Sequence, residues 1–156
     1  MGIAEKKERR AFYDAGIRLA TISDGDAVLA LAEYLGYKAR DLAMATGEYR
    51  RILNSDSDWL FVFTSELSLT GWIHLFQANR IASSSFIEIG GLVVHPDFRR
   101  QGIGRQLVQH AGDFAVKRKM ALRVRSNIKR EETRQFYLNS GFSIRKSQNM
   151  FQIDYE

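Results

Sequence analysis

Hydrophobic and polar positions along the chain change their period several times, and each period predicts a strand or a helix. Runs rich in β-branched and aromatic residues predict strands at IRLATI (17–22), DWLFVFT (58–64), LTGWIHLFQ (69–77), SSFIEIGGLVVH (84–95) and ALRVRS (121–126). Two weaker alternating runs predict further strands at FSIRK (142–146) and MFQIDY (150–155).

Apolar residues at helical spacing predict four helices. The first follows SDGD, where Ser23 is a candidate N-cap with Asp26 three residues later, and it ends at Gly36. The last ends at Gly141, a residue suited to the left-handed conformation that often closes a helix. The other helical segments are ARDLAMATGEYRRIL (39–53), the stripe Ile103, Leu107, Ala111 and Phe114, and the last helix itself, REETRQFYLNSGF (130–142).

The predicted order of elements is β-α-α-β-β-β-α-β-α-β-β, in which a run of antiparallel strands leads into a strand–helix–strand unit. This order predicts an α+β (mixed α/β) fold with a central, mostly antiparallel sheet of about seven strands and four helices. The length of 156 residues fits one domain, and no repeat or linker interrupts it. We therefore expect a single domain over residues 1–156, with the charged residues 1–16 as a candidate N-terminal arm.

Composition removes several kinds of chemistry. The absence of Cys excludes disulfides, thiolate metal sites and Cys nucleophiles. His74, His95 and His110 have no metal-ligand spacing, which argues against catalytic zinc, so we expect no metal site. No apolar run reaches the length of a membrane span, and MGIAEKKERR lacks the apolar centre of a signal peptide. These features predict a soluble, cytoplasmic protein with no membrane partner.

Positive charge is concentrated in the second half of the chain. Residues 95–146 contain 13 Lys or Arg and 4 Asp or Glu, whereas the remaining residues contain 10 and 14. A basic half favours an anionic partner, either a phosphorylated cofactor or nucleic acid. Charge alone does not separate these partners from an ordinary solvated basic surface.

The stretch HPDFRRQGIGRQL (95–107) joins a predicted strand to a predicted helix. Pro96 ends the strand because it has no N–H group. The first N–H groups of a helix lack partners within the helix and carry partial positive charge. Gly102 and Gly104 would let an anion approach this backbone closely, while nearby cationic side chains add charge, namely Arg99, Arg100 and Arg105. The stretch thus predicts an anion site, although the Walker and Rossmann glycine patterns are both absent.

RRQGIG (99–104) resembles the Arg/Gln-x-x-Gly-x-Gly/Ala signature of the GNAT superfamily of acetyl-CoA-dependent N-acetyltransferases. The longer segment EIGGLVVHPDFRRQGIGRQLVQHA (88–111) is similar to the fourth strand and following helix of that family. RVRSN (123–127) followed by RQFYLNSGF (134–142) resembles its second conserved block. The resemblance covers roughly residues 85–142 and implies a GNAT-like fold with a splayed pair of middle strands.

The resemblance implies acetyl-CoA as cosubstrate. Backbone N–H groups of the signature loop would bind its pyrophosphate, and the strand before the loop would pair with its pantetheine arm. The implied contacts are Leu92, Val93, Val94, Arg99, Arg100, Gln101, Gly102, Ile103, Gly104, Arg105, Asn127 and Tyr137. For Asn127 a turn or helix-capping role is the alternative. Gly90–Gly91 is a candidate β-bulge, or else simply relieves crowding in the strand.

Two residues are candidates for proton transfer. Tyr137 occupies the family position of the tyrosine that meets the cofactor sulfur, and a phenol protonated at neutral pH can protonate a leaving thiolate. We expect its neighbour Phe136 to lie in the core. Glu88, inside an apolar run, is either a surface acid or a partly buried base. Strict alternation places Glu88 on the face of Leu92 and Val94, and a bulge would reverse that placement.

The implied reaction is direct acetyl transfer to a primary amine through a ternary complex, with Glu88 or an ordered water as base. In the family the acceptor, here a small molecule or a protein amine, is bound by the first two helices and the last strand pair. Acidic and aromatic residues in this region form either the acceptor mouth, a binding site for a cationic amine, or an ordinary helix surface. These residues are Asp24, Asp26, Glu33, Asp41, Glu48, Tyr34, Tyr37 and Tyr49.

Two other functions fit parts of the sequence. A family member without catalytic activity could bind acyl-CoA or regulate a partner. A nucleic-acid-binding domain could use a basic stripe, although no helix-turn-helix or RNA-binding signature is present. The stripe consists of Lys117, Arg118, Lys119, Arg123 and Arg125. Lys119 also departs from the family, which often has a helix-ending glycine there. The family further suggests a homodimer.

Overall fold

The computed structural model describes residues 16–37, 41–66 and 68–155. The described chain divides into two compact units, with the boundary between Val124 and Arg125. Apart from Gly16, the candidate N-terminal arm lies outside the described residues. The single-domain organisation stays a prediction.

Within the described residues, the first unit contains a five-stranded sheet and three helices. The strands are β1 (Ile17–Leu19), β2 (Asp58–Ser65), β3 (Ser68–Ala78), β4 (Phe86–Val94) and β5 (Leu122–Val124). The helices are α1 (Gly25–Ala32), α2 (Leu42–Asn54) and α3 (Ile103–Lys117). The spatial order is β1-β2-β3-β4-β5, antiparallel throughout except for the parallel pair β4–β5. The second unit contains α4 (Glu131–Asn139). The predicted α+β class and four helices are confirmed.

The prediction of about seven strands is wrong, because the described residues form five. FSIRK (142–146) and MFQIDY (150–155) form neither strand nor helix. A strand exists only where its backbone groups pair with a neighbour, and residues 143–155 make no backbone hydrogen bond to any described residue. Their apolar side chains, such as Phe151 and Ile153, are exposed. Alternation predicts a strand face, but it does not supply the partner strand.

The first helical segment begins two residues before the predicted N-cap. Thr21 caps a 3₁₀ turn (Ile22–Asp24) that continues directly into α1, and its N–H donates to Asp24 Oδ2 at 2.8 Å. Ser23 therefore lies inside the turn. The T-I-S-D and S-D-G-D segments carry the same capping spacing, so the sequence pattern alone could not choose between them. Gly36, with φ of 80°, ends this segment as predicted.

Helices cover the two faces of the sheet. On one face, α1 and α2 enclose a buried cluster of Val28, Leu31, Tyr49, Leu60, Val62, Trp72 and Val93. The Trp72 indole N–H donates to the carbonyl of Val28 at 3.1 Å, which ties β3 to α1. On the other face, α3 packs its buried residues, including Leu107 and Ala111, against the central strands. Within the described residues, no helix has the length and hydropathy that a membrane span requires.

Candidate active site

Strand β4 contains one extra residue at Gly90. In the pairing with β3, Leu75 lies opposite Ile89 and His74 lies opposite Gly91, so Gly90 has no opposite residue. This arrangement is a β-bulge, and the predicted bulge is confirmed. A Cβ atom at Gly90 would lie 2.8 Å from His74 Nδ1, so the glycine also relieves crowding. Both interpretations of the glycine pair hold.

The bulge places Glu88 and Leu92 on opposite faces of the sheet. Glu88 lies opposite Phe76, and Leu92 lies opposite Ile73. Residues 73 and 76 of a regular strand point to opposite faces because side chains alternate. Glu88 is thus half-buried on the face covered by α1 and α2, and strict alternation would have placed it wrongly.

Strands β4 and β5 pair over a short stretch only. Ile87–Ile89 pairs with Leu122–Val124, and the sheet provides no further partner for this edge of β4. The pairing of β4 with β5 therefore ends beside the bulge, and the splayed pair of middle strands stays a prediction. The edge of β4 that follows the bulge, Gly90–Val94, is open on the side of β5 within the described sheet.

Backbone groups of two residues point to this open edge. The N–H of His95 donates to the carbonyl of Thr70 on the opposite side, at 2.7 Å. Because the N–H groups of alternate residues point the same way along a strand, those of Leu92 and Val94 point away from β3. The Arg99 Nε–H donates to the carbonyl of Val94 at 3.1 Å, so Arg99 lies across the end of β4.

The loop from β4 to α3 turns sharply through two left-handed residues. After a 3₁₀ turn at Pro96–Phe98, Arg100 has φ of 60° and Gly102 has φ of 81°. Left-handed backbone is uncommon for a residue with a side chain, so the loop holds Arg100 in a costly conformation. Helix α3 then begins at Ile103, whose side chain is buried.

The same loop presents a row of unpaired backbone donors. No N–H group of residues 100–105 has an acceptor within the part of the chain that the structure describes. Gly102 has open space around it, and the side chains of Arg100 and Arg105 are exposed. Unpaired N–H groups at a helix start, with cationic side chains beside them, form a cradle suited to phosphate oxygens.

A polar pair that the sequence analysis did not single out lies on the same face as Glu88. His74 Nε2 is 2.7 Å from Asp58 Oδ1. The hairpin register sets this contact, because Asp58 lies opposite Phe76 and His74 opposite Leu60, which makes the two side chains diagonal neighbours. Both side chains are about four-fifths buried.

In the second unit, Asn127 organises the turn before α4. Its Oδ1 accepts from the N–H of Lys129 at 2.9 Å, and its carbonyl accepts from the N–H of Arg130 at 3.0 Å. The turn role predicted as the alternative is confirmed. Its side-chain NH₂ has no acceptor among the described residues, so it remains a candidate donor.

Tyr137 lies half-buried on α4. Its ring packs edge-to-face against Phe136 and Phe142, with centroid distances of 5.1 and 5.3 Å. Burial raises the pKa of the Tyr137 phenol to about 12. The phenol therefore keeps its proton at neutral pH. Phe136 is half-buried as well. Burial therefore does not distinguish Phe136, expected in the core, from Tyr137.

Several residues expected at the acceptor mouth have structural partners instead. Arg18 donates two hydrogen bonds to Asp24, at 2.7 and 2.9 Å, and this bonding lowers the pKa of the Asp24 carboxyl to about 2. Asp41 caps α2, and Glu48 pairs with Arg51. Tyr49 is buried and donates to the carbonyl of Thr21. The exposed remainder is Asp26, Glu33, Tyr34 and Tyr37.

Comparison with known proteins identifies the family. The family described as Acetyltransferase (GNAT) domain matches residues 56–144. This match spans more than half of the chain and includes the bulged strand, the loop and α4. The chain therefore belongs to the GNAT acetyltransferases, and the resemblance carried by RRQGIG is confirmed.

Solved structures show the same fold. The aminoglycoside antibiotic 6'-N-acetyltransferase AAC(6')-IG from Acinetobacter haemolyticus superposes with a TM-score of 0.77 at 14% identity, over 90% of this chain and 99% of that one. AAC(6')-Iy in complex with the bisubstrate analog CoA-S-monomethyl-acetylneamine gives 0.79 at 15%, over 89% and 97%. A GNAT family acetyltransferase of Staphylococcus aureus gives 0.71 at 20%, over 88% and 97%. No curated protein matches the chain in sequence.

Proposed function

We propose that the protein transfers an acetyl group from acetyl-CoA to a primary amine by direct attack in a ternary complex. The observation that carries the proposal is the continuity of the open β4 edge with the loop of unpaired N–H groups. One end offers strand-like pairing to an extended amide-containing arm, and the other offers donors to phosphates.

The residues of the first unit would divide the binding task. Leu92, Val93 and Val94 would pair with the pantetheine arm along the open edge. The backbone of Arg100, Gln101, Gly102, Ile103, Gly104 and Arg105 would hold the pyrophosphate, with the Arg99 guanidinium nearby. When bound, acetyl-CoA supplies an activated acyl group. The N–H groups of Leu92 or Val94 would stabilise negative charge on the carbonyl oxygen during transfer.

Proton transfers complete the proposed mechanism. Glu88, directly or through water, would take a proton from the acceptor ammonium so that the neutral amine can attack. Tyr137, protonated because burial raises its pKa to about 12, would give a proton to the leaving thiolate. Asn127 would donate its free NH₂ to the cofactor arm.

We propose a small-molecule amine as acceptor. The support is that one structural neighbour is named an aminoglycoside antibiotic 6'-N-acetyltransferase, and another was solved with the bisubstrate analog CoA-S-monomethyl-acetylneamine. Exposed acidic residues on the first helical segment, Asp26 and Glu33, would attract a cationic amine. A protein amine is the alternative outcome of an acceptor screen.

Calorimetric titration with acetyl-CoA tests the cofactor site, with dephospho-CoA and ATP as comparisons. Arg105→Gln, at the N-terminal turn of α3, is expected to weaken acetyl-CoA binding several-fold. Lys117→Gln removes the same charge from the last turn of α3 and is expected to leave affinity unchanged. Equal effects of the two variants would contradict the proposed phosphate site.

Release of free CoA thiol across a panel of amines tests the transfer. Turnover on at least one amine is expected. Acetyl-CoA binding without turnover on any amine would favour the alternative of a catalytically silent acyl-CoA-binding or regulatory module. Salt-sensitive binding of random DNA, with no acetyl-CoA binding, would favour the nucleic-acid alternative.

A further inference from the structure

We propose that His74, held in place by Asp58, is the final acceptor of the proton that leaves the attacking amine. This inference rests on the proposed function and assigns a further residue to the same reaction. His74 belongs to β3, outside the loop and strand that carry the family motifs.

The position of His74 coincides with the point where the pairing of β4 with β5 ends. The last β4 residue paired with β5 is Ile89, and the next residue, Gly90, is the bulge. His74 Nδ1 lies against Gly90, at 2.8 Å from the position that a Cβ would occupy. The imidazole is therefore adjacent to the backbone that opens the proposed acyl site.

Glycine at the bulge gives His74 its access. Gly90 is exposed and the His74 side chain is 19% exposed. A side chain at residue 90 would cover Nδ1 directly, because its Cβ would meet the ring closer than van der Waals contact. The bulge thus opens a path from the solvent side of β4 to an otherwise buried imidazole.

Asp58 determines which nitrogen can accept a proton. A carboxylate at 2.7 Å from Nε2 favours the tautomer with hydrogen on Nε2, since the carboxylate can only accept. Nδ1 then carries the lone pair, on the side of Gly90. When Nδ1 takes a proton, the nearby carboxylate stabilises the resulting imidazolium.

Other charged groups surround this pair. The sheet also places Glu88 of β4, Arg123 of β5 and Arg18 of β1 on this face, and Arg18 binds Asp24. The Arg123 guanidinium lies 3.8 Å from the ring centroid of Phe86. On the helices that cover this face, α1 carries Asp26, and on or beside α2 lie Asp41, Glu48, Tyr49, Arg50 and Arg51. Of these, Tyr49 is buried and Glu48 pairs with Arg51. Among the groups named here, only His74 carries an imidazole, whose neutral form keeps a lone pair on one ring nitrogen.

The proposed step conserves protons and electrons. The ammonium loses one proton to Glu88 or a bound water, and that carrier passes it to His74 Nδ1. The nitrogen lone pair forms the new C–N bond as the C–S bond breaks, and the thiolate takes a proton from Tyr137. The acylated nitrogen then loses its second proton through water, and that proton restores the Tyr137 phenol. The His74 imidazolium afterwards returns its proton to solvent.

His74→Gln provides the main test, because the Gln amide N–H can keep the bond to Asp58 while losing the titrating group. We expect kcat to fall about 100-fold and the pH profile of kcat to change shape. Asp58→Asn should lower kcat as well. His110→Gln, the same change at a histidine of α3, should leave kcat and its pH profile unchanged.

Nitrogen NMR of the unmodified protein provides a second test that does not need turnover. In the neutral imidazole of His74 we expect a hydrogen on Nε2 and none on Nδ1; the opposite tautomer would overturn the proposal. Turnover by His74→Gln with an unchanged pH profile would overturn this step alone. Acetyl-CoA binding without turnover by the unmodified protein would overturn the proposed function and this step with it.

Discussion

The phenol of Tyr137 is the group whose protonation state is best defined by its surroundings. Packing between Phe136 and Phe142 buries it, and burial raises its pKa to about 12. Tyr137→Phe keeps the ring and removes only the proton donor. We expect kcat to fall about 100-fold, while the Kd for acetyl-CoA measured by calorimetry stays within about twofold.

Tyr155→Phe is the matched control, because Tyr155 is fully exposed and has no role in the proposed reaction. It should retain the kcat of the unmodified protein. Full turnover by Tyr137→Phe would remove Tyr137 from the role of acid and leave a solvent molecule as the proton source.

Residue roles were predictable where they depend on local sequence, and were missed where they depend on strand pairing. The signature loop could be located from its glycines and arginines alone. The Asp58–His74 pair could not, because its members are 16 residues apart and meet only through the register of one hairpin. Counting inward from the turn between β2 and β3 would pair residue 58 with residue 75. The irregularity between Phe63 and Thr64 shifts the true partner to residue 76, and only that register brings His74 into diagonal reach of Asp58.

At the scale of elements, α3 and α4 end in the same way with different residues. In each helix the N–H of the third residue past the end donates to the carbonyl five positions back: Met120 to Ala115 and Phe142 to Tyr137. This is a Schellman motif, which needs a left-handed residue just before that donor. Helix α4 uses Gly141, with φ of 94°, whereas α3 uses Lys119, with φ of 56°.

Lys119→Gly should therefore stabilise the protein. A left-handed residue with a side chain costs about 1 kcal/mol, part of which returns as the greater flexibility of glycine in the unfolded chain. We expect a gain of about 0.5 kcal/mol in the free energy of unfolding, measured by denaturant titration. Gly141→Ala is the reverse change in the matching motif and should cost about 1 kcal/mol. A loss of stability in Lys119→Gly would show that its side chain contributes more than its backbone costs.

The elements themselves followed closely from periodicity, and the exceptions have physical causes. Strands β2, β3 and β4 and helix α3 lie within a few residues of their predicted bounds, because each carries a long apolar face that must be buried. The start of the first helical segment shifted because two capping sequences overlap, and Asp24 is held by Arg18 as well as by Thr21. The final two strands failed because a short alternating run cannot form a strand without a neighbour.

At the scale of the whole molecule, charge and cofactor chemistry agree. The net charge is +5, yet residues 95–146 carry 13 cationic and 4 anionic side chains. Part of this charge is used within the fold: the Arg118 guanidinium lies 3.5 Å from the ring centroid of Phe114, and Arg123 lies over Phe86. Arg100 and Arg105 remain exposed beside the unpaired N–H groups of the loop. Three of the 13 cationic side chains, Arg99, Arg100 and Arg105, therefore belong to the loop of the proposed phosphate site.

This distribution predicts that acetyl-CoA affinity depends on salt. Long-range attraction between a basic half and a phosphorylated ligand is screened within about 10 Å at 0.1 M ionic strength, whereas backbone hydrogen bonds at the loop are short-ranged and persist. We expect the Kd measured by calorimetry to rise several-fold between about 0.05 and 0.5 M salt without being lost. Arg105→Gln should reduce this dependence more than Lys117→Gln does, since only Arg105 lies at the loop. A Kd that does not change with salt would mean that backbone donors alone hold the phosphates, and complete loss of binding would mean that charge alone does.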